Sequence, residues 1–301
     1  MLKVFLLIVV GLGGDAETAK TFHRWSNTLA ESSERLGVPP DRLVYLVGEP
    51  VEGDKNVSGR ATKEEVTKAL TKFAGAAGPE DVVFIALIGH GSFDGRAAKF
   101  NMPGPDMGPE DFEPLLKKLQ TKQLVFVNTA SASGAFLQPL AAPGRVIVTA
   151  TKTGGERNET DFPEYFVAAY NDDSADLDRN GHISVREAFD YAAAKVKQAF
   201  QQKGYMLTEH ATLEDGEGQL AATVFLGTGR ADAALNVDLS DPAAKALVEE
   251  RDAIEKDIAG MRLMKPSMEA AAYDAKMEKL LTDLALKTKA LRDLQAKKAK
   301  P

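Results

Sequence analysis

The 301 residues include 37 Lys+Arg and 44 Asp+Glu, with 44% hydrophobic and 27% charged content, which is ordinary for a globular chain able to form one large α/β domain plus an appendage. The lack of any cysteine excludes disulfides, thiolate metal sites and a cysteine nucleophile, and leaves the redox compartment open. Residues 242–301 hold 13 basic and 10 acidic side chains, leaving 24 and 34 for the remainder, so the main body stands at −10 and is a poor partner for nucleic acid.

The chain opens on an apolar run, residues 4–10, behind a single Lys. It has the outline of a signal peptide, but it is short, β-branched and without an A-x-A-like cleavage site, so it reads as the first buried strand; any signal peptide would then precede Met1. No run reaches the length of a membrane span. "GLGGDA" at 11–16 fits G-x-G-x-x-A between a strand and a helix. A dinucleotide fingerprint also needs an acid about 20 residues on, and Glu49 lies too far away, so a glycine turn into a helix is the reading.

Residues 15–36 place Ala19, Phe22, Trp25 and Leu29 on one helical face. A strand at 43–46 follows, then a helix beginning in "ATKEEV", with Thr62 as N-cap and Glu65 three residues on. Further strands are read at 81–88, 124–127, 146–149 and 222–226, with helices at 110–119, 162–170 and 185–202. Apolar strands separated by helices indicate a mostly parallel sheet covered on both faces, with chemistry expected at its carboxyl edge.

"DLDRNGHISVRE" at 176–187 fits a 12-residue calcium loop. Asp176, Asp178 and Asn180 stand at positions 1, 3 and 5 and Gly181 at 6; His182 offers its backbone carbonyl at 7, leaving its side chain free to vary. Ser184 stands at 9, where water often mediates, and Glu187 at 12. With helices on both sides this is an EF-hand-like motif, expected to bind Ca2+ as a structural clip because no second loop pairs with it. Millimolar extracellular calcium suits such a loop, which favours an extracytoplasmic location.

Residues 242–301 change character. Leu247, Ile254, Ile258 and Met261, then after Pro266 and the N-cap candidate Ser267, Tyr273, Met277, Leu280, Leu284 and Leu291 keep a coiled-coil-like spacing broken at Lys287. This predicts a helical hairpin, packed on itself or on the body, or serving as an arm for self-association or a partner. The expected organisation is a 1–238 α/β domain containing the calcium loop, followed by the 242–301 hairpin.

Two strand ends carry the remaining chemistry. The 81–88 strand runs into Gly89-His90-Gly91-Ser92, and the next ends in "NTASASG", bringing His90 and the Ser131 region to one edge: a base beside a hydroxyl. Here the sequence resembles the legumain/caspase-like cysteine peptidases, with bacterial legumain-like homologues the nearest in flavour. His90-Gly91 matches one signature of that clan. Ala130-Ser131-Ala132-Ser133-Gly134 matches the second, with Ser131 in the cysteine's place.

The resemblance spans roughly residues 3–228 and implies a caspase-like three-layer α/β/α sandwich. It also implies catalytic positions at His90 and Ser131, with Gly91, Ala130, Ser133 and Gly134 forming the turn and oxyanion region, and a cleft for an extended peptide or protein ligand. The small residues at 129–135 would let substrate backbone approach. Arg145, Glu156, Arg157 and Glu159 are placed near the first specificity pocket, and Asp94 and Asp106 are candidates to orient His90. The expected function is a peptidase homologue that has lost cysteine-protease activity. The alternatives are a Ser131–His90 peptidase or esterase, a cysteine peptidase whose nucleophile was replaced by Ser, and a calcium-dependent scaffold.

Overall fold

The computed structural model describes residues 2–49, 56–216, 220–227, 241–264 and 268–298. The chain divides into two compact units: residues 1–177 with 183–227, and residues 178–182 with 228–301.

The first unit is built on a seven-stranded sheet, β1 (Val4–Val10), β2 (Leu43–Val47), β3 (Gly59–Arg60), β4 (Val82–Ile88), β7 (Gln123–Asn128), β8 (Arg145–Thr149) and β9 (Thr212–Glu214), in the order β3-β2-β1-β4-β7-β8-β9. All pairings are parallel except β8–β9. A separate antiparallel ribbon joins β5 (Gly91–Phe93) to β6 (Ala98–Phe100).

Alternation along each strand divides two cores. Leu6, Ile8 and Val10 face the side covered by α1 (Ala16–Arg35), α5 (Phe162–Ala169) and α6 (Val185–Lys203). Phe5, Leu7 and Val9 face α2 (Lys63–Ala76), α3 (Pro109–Leu116) and α4 (Leu137–Leu140). Strands buried on both faces must be apolar throughout, which is why β1 and β4 contain no polar residue. The result is the expected three-layer α/β/α arrangement. It also identifies 4–10 as a central strand.

The helix starts follow the sequence. Asp15 caps α1 by accepting from the N–H groups of Glu17 and Thr18, and Thr62 caps α2 by accepting from Glu65. The expected last strand at 222–226 is not one: residues 220–222 form a 3-10 turn, and Phe225 makes a single bridge to Ser184. Val224 and Leu226 are buried all the same, and an apolar run too short to show a period looks alike whether it pairs in a sheet or plugs a core. The last strand is the half-buried β9.

After β1 the chain moves outward to β2 and β3, then returns to the other side of β1 as β4. The β1/β4 boundary is therefore a topological switch point, where an open parallel sheet leaves a crevice at its carboxyl edge.

In the second unit, α7 (Pro242–Leu263) and α8 (Ala270–Lys298) pack together through Ile254, Ile258, Met261, Met268, Tyr273, Met277, Leu280 and Leu284. Lys287, which interrupts the apolar spacing, pairs with Glu250 on the other helix. Pro266 and Ser267 lie outside the described residues. No described helix is long and apolar enough to cross a membrane.

Candidate active site at the sheet's carboxyl edge

The crevice is assembled mainly by backbone. Gly11 N–H bonds the Ile88 carbonyl and Thr129 N–H bonds that of Leu87, so the ladder runs past the formal strand ends. At Gly91 a Cβ would stand 2.1 Å from the Ser131 carbonyl oxygen, and at Gly134 one would stand 2.3 Å from the Lys152–Thr153 peptide. Ser133 Oγ lies 3.3 Å from Thr151 Oγ1, and Ala132, held at φ 57, donates its N–H to the Glu156 carbonyl at 2.7 Å. The smallness of 129–135 is thus used inside the protein, where three loops press together. The expected approach of substrate backbone does not by itself account for it.

His90 follows β4. Its Nε2 lies 3.1 Å from the Gly13 carbonyl oxygen and 3.9 Å from Glu159 Oε1, and its ring meets Phe22 edge-on at 5.0 Å. A carbonyl can only accept, so Nε2 carries the proton and Nδ1 is left as the basic nitrogen. Neither acid expected to orient His90 does so. Asp94 accepts from the N–H groups of Arg96 and Ala97, and Asp106 from that of Met102. The orienting group is the Gly13 carbonyl, from the very turn that the sequence read only as a lead into α1.

Ser131 is buried, and its hydroxyl donates to the Gly91 carbonyl at 2.9 Å while accepting from the Gly91 N–H at 3.2 Å. Among the described residues no hydrogen bond joins the imidazole to this hydroxyl. Both groups line a cleft of about 290 Å³ that also includes Gly89, Glu159, Thr160 and Pro163 on one side and Glu17, Thr18, Thr21, Phe22 and Trp25 of α1 on the other.

Of the residues expected near a specificity pocket, only Glu159 lines this cleft. Arg145 stands at the start of β8, the opposite end of the strand, buried against Glu113 at 2.6 Å and the Leu140 carbonyl. Arg157 lies over the Phe93 ring, and Glu156 bonds His210 Nδ1 at 2.9 Å and the His210 N–H. The loop carrying Glu159 is held by Thr160, whose hydroxyl donates to the Thr129 carbonyl at 2.6 Å.

Glu209, absent from the sequence reading, accepts from the Asp161 and Phe162 N–H groups at 2.8 and 2.9 Å. Burial pushes its carboxyl up to about 7, against the lowering effect of those two bonds. Nothing around Glu209 in the sequence marks it, because its role arises from a fold-back of nearly fifty residues.

With this edge in view, residues 60–214, more than half of the chain, match the family model of the Peptidase C13 family. This chain belongs to that family. The match includes both His90 and Ser131, so the resemblance to legumain-type peptidases holds. No curated protein matches the sequence. Protein GSU0716 from Geobacter sulfurreducens, known from a crystal structure, is similar at 12% identity, with 70% of this chain and 92% of that one covered and a TM-score of 0.44.

The 176–187 loop has its own geometry. Arg179 and Gly181 take left-handed backbone at φ 57 and 85, which tightens the turn. Asn180 N–H bonds Asp178 Oδ1 at 3.0 Å, and His182 N–H bonds Asn180 Oδ1 at 2.7 Å. Asp176, Asp178 and Glu187 can each bring one carboxylate oxygen within 4.8 Å of the others. Glu187 accepts from the Leu177 N–H through one oxygen and from the Ser184 N–H and hydroxyl through the other. Burial raises its carboxyl above the usual range, the Asp176 charge adding to the effect and the hydrogen bonds opposing it.

Three details differ from the sequence reading. The element before the loop is a 3-10 turn over Asp173–Ala175, with α5 ending earlier at Ala169. The Ser184 hydroxyl caps α6 in a capping box with Glu187, so it is committed to the helix start. The His182 side chain is not free to vary: it is buried, with Nε2 3.3 Å from Glu255 Oε1 and 3.4 Å from an Arg251 nitrogen, both on α7 and both buried.

Proposed function

We propose that this Peptidase C13 member is a peptidase homologue without cysteine-peptidase turnover, that its cleft binds an extended peptide, and that its 176–187 loop holds a calcium ion. The observation that carries the first part is where the Ser131 proton goes. The hydroxyl donates to the Gly91 carbonyl at 2.9 Å, and the His90 ring is bonded to Gly13. A serine nucleophile needs a base that takes its proton, because an alcohol is barely ionised at neutral pH. The imidazole is nevertheless well held by the Gly13 carbonyl, so the edge keeps the outline of the thiol site.

The test is a serine-reactive fluorophosphonate probe on the protein and on Ser131→Ala, alongside peptidase assays of Ser131→Cys. No labelling of the wild type is expected, together with gained hydrolysis by Ser131→Cys that His90→Ala then abolishes. Labelling that disappears in Ser131→Ala would establish the Ser131–His90 hydrolase instead.

The calcium part is supported by the donor set. Asp176, Asp178, Asn180 and Glu187 supply hard oxygens at the spacing of a calcium loop. His182 would add its carbonyl. The ion would neutralise the clustered carboxylates and tie the loop to the start of α6. Calcium of the strength a lone loop provides is abundant outside the cytosol, which supports an extracytoplasmic setting for the proposal.

A further inference from the structure

The cleft beside His90 has a charge and a lining that the chemistry at Ser131 does not require. Glu17 reaches it from the first turn of α1, and Glu159 from the loop ahead of α5. Both side chains are exposed, and Glu159 stands 3.9 Å from His90 Nε2. Asp15, which caps α1, adds a third negative charge two residues from Glu17. No Lys or Arg is among the described residues lining the cleft.

Part of the wall is aromatic. Trp25 packs on Phe22 at 5.8 Å, and Phe22 on His90 at 5.0 Å. The volume of about 290 Å³ is at the small end of ligand cavities, room for a single side chain and its adjoining backbone.

We propose that this cleft receives a cationic side chain, lysine or arginine, of the bound peptide, with Glu17 and Glu159 holding its charge and Trp25 covering its stem. The inference rests on the peptide-binding reading above and names the side chain that reading leaves open. A guanidinium or ammonium gains charge-assisted hydrogen bonds from carboxylates and attraction to an aromatic face. A carboxylate side chain is repelled there, and a carboxamide can donate to the carboxylates but brings no positive charge of its own. The acidic main body adds a long-range field that attracts the same class of ligand.

Trp25 is the only tryptophan of the chain, so its fluorescence reports occupancy of this cleft directly. The experiment titrates the wild-type protein with acetyl-Ala-Ala-Arg-amide and with the same peptide ending in citrulline, the neutral isostere, or in asparagine. The arginine peptide is expected to saturate the signal at a concentration at least about tenfold lower than the citrulline peptide, a preference of about 1.4 kcal/mol. Added salt should weaken the arginine peptide and leave the citrulline peptide unchanged. Glu159→Gln and Glu17→Gln, both exposed and removable without disturbing the core, should each cost several-fold for arginine, and together erase the preference.

Equal or tighter binding of the asparagine or citrulline peptide would overturn the charge selection while leaving peptide binding in place. If no peptide changes the Trp25 signal or gives heat in calorimetry, the peptide-binding reading fails, and this proposal with it.

Discussion

The carboxyl edge of β1, β4 and β7 and the 176–187 loop both present side chains that a motif singles out, but they are built in opposite ways. At the edge the shape is made by backbone. Gly91 and Gly134 let loops touch, Gly13 holds His90 through a carbonyl, and Gly91 offers both its carbonyl and its N–H to whatever stands at 131. In the loop the shape is made by side chains: Asp178 and Asn180 close the turns, and Glu187 closes the capping box. A site built from backbone can exchange the side chain at 131 and keep its form. A loop built from side chains spends their oxygens on its own turns and helix cap, so exchanging one of them changes its form.

The sharpest way to break this contrast is to add a single methyl group to the edge. Gly91→Ala would put a Cβ 2.1 Å from the Ser131 carbonyl, backbone against backbone with no flexible end to yield. A loss of about 4 kcal/mol, or failure to fold, is expected in thermal or urea denaturation. Gly75→Ala, in α2 with nothing within 4 Å, is the control and should be neutral or slightly stabilising. Equal melting of the two variants would mean that the edge is not set by backbone contact.

In the loop, the comparison predicts sensitivity to side chains, including one that contributes no side-chain ligand. His182→Ala removes a buried imidazole from beside the Arg251–Glu255 pair and should cost about 3 kcal/mol, since it leaves a cavity and takes a polar partner from buried groups. Melting within error of wild type would return His182 to a variable position. Because α7 supplies both partners, removal of the 242–301 hairpin should destabilise the loop as well, contrary to a hairpin that is wholly self-contained.

Calcium gives the next effect. Metal that binds the folded loop far better than the unfolded chain stabilises by about 2.7 kcal/mol at a hundredfold excess over Kd. Melting with calcium should therefore exceed melting with chelator. Glu187→Gln should erase most of the difference, because the loop loses the carboxylate charge at position 12. Identical wild-type melting in the two conditions would leave the loop as a capping device alone.

Much of this was legible in the sequence, for reasons that differ by element. Strands β1 and β4 are buried on both faces, so composition alone marks them, and Asp15 and Thr62 mark helix starts because capping is a local interaction. The β5–β6 ribbon and β9 escaped because three residues with half-buried faces show no period. Motif spacing placed His90 and Ser131 at one edge, since neighbouring parallel strands must end together. What could not be read were partners brought in through space by backbone atoms. The Gly13 carbonyl has no side chain to announce it, and Arg145 looked close to the edge only because its strand is five residues long and its direction places it at the far end.

Glu209 is the exception that tests the comparison most finely, a side-chain prop inside an edge otherwise made of backbone. Its carboxyl, raised from 4.5 to about 7 by burial, takes up a proton in the folded state that the unfolded chain has already released. Between those two pH values the folded protein binds more protons, so this group makes stability fall as pH rises from about 4.5 to 7, and adds no slope outside that window. An effect on the order of 2 kcal/mol is expected across the window. Glu209→Gln keeps one acceptor for the Asp161 and Phe162 N–H groups and cannot ionise. It should be less stable than wild type near pH 5, where one hydrogen bond is missing, and should match or exceed it near pH 8, where the buried charge is gone. Denaturation midpoints of the two proteins across this range decide the matter. A wild type that grows more stable with rising pH while the variant does not would mean that the two N–H bonds outweigh burial and that Glu209 clamps the Glu159 loop as a carboxylate.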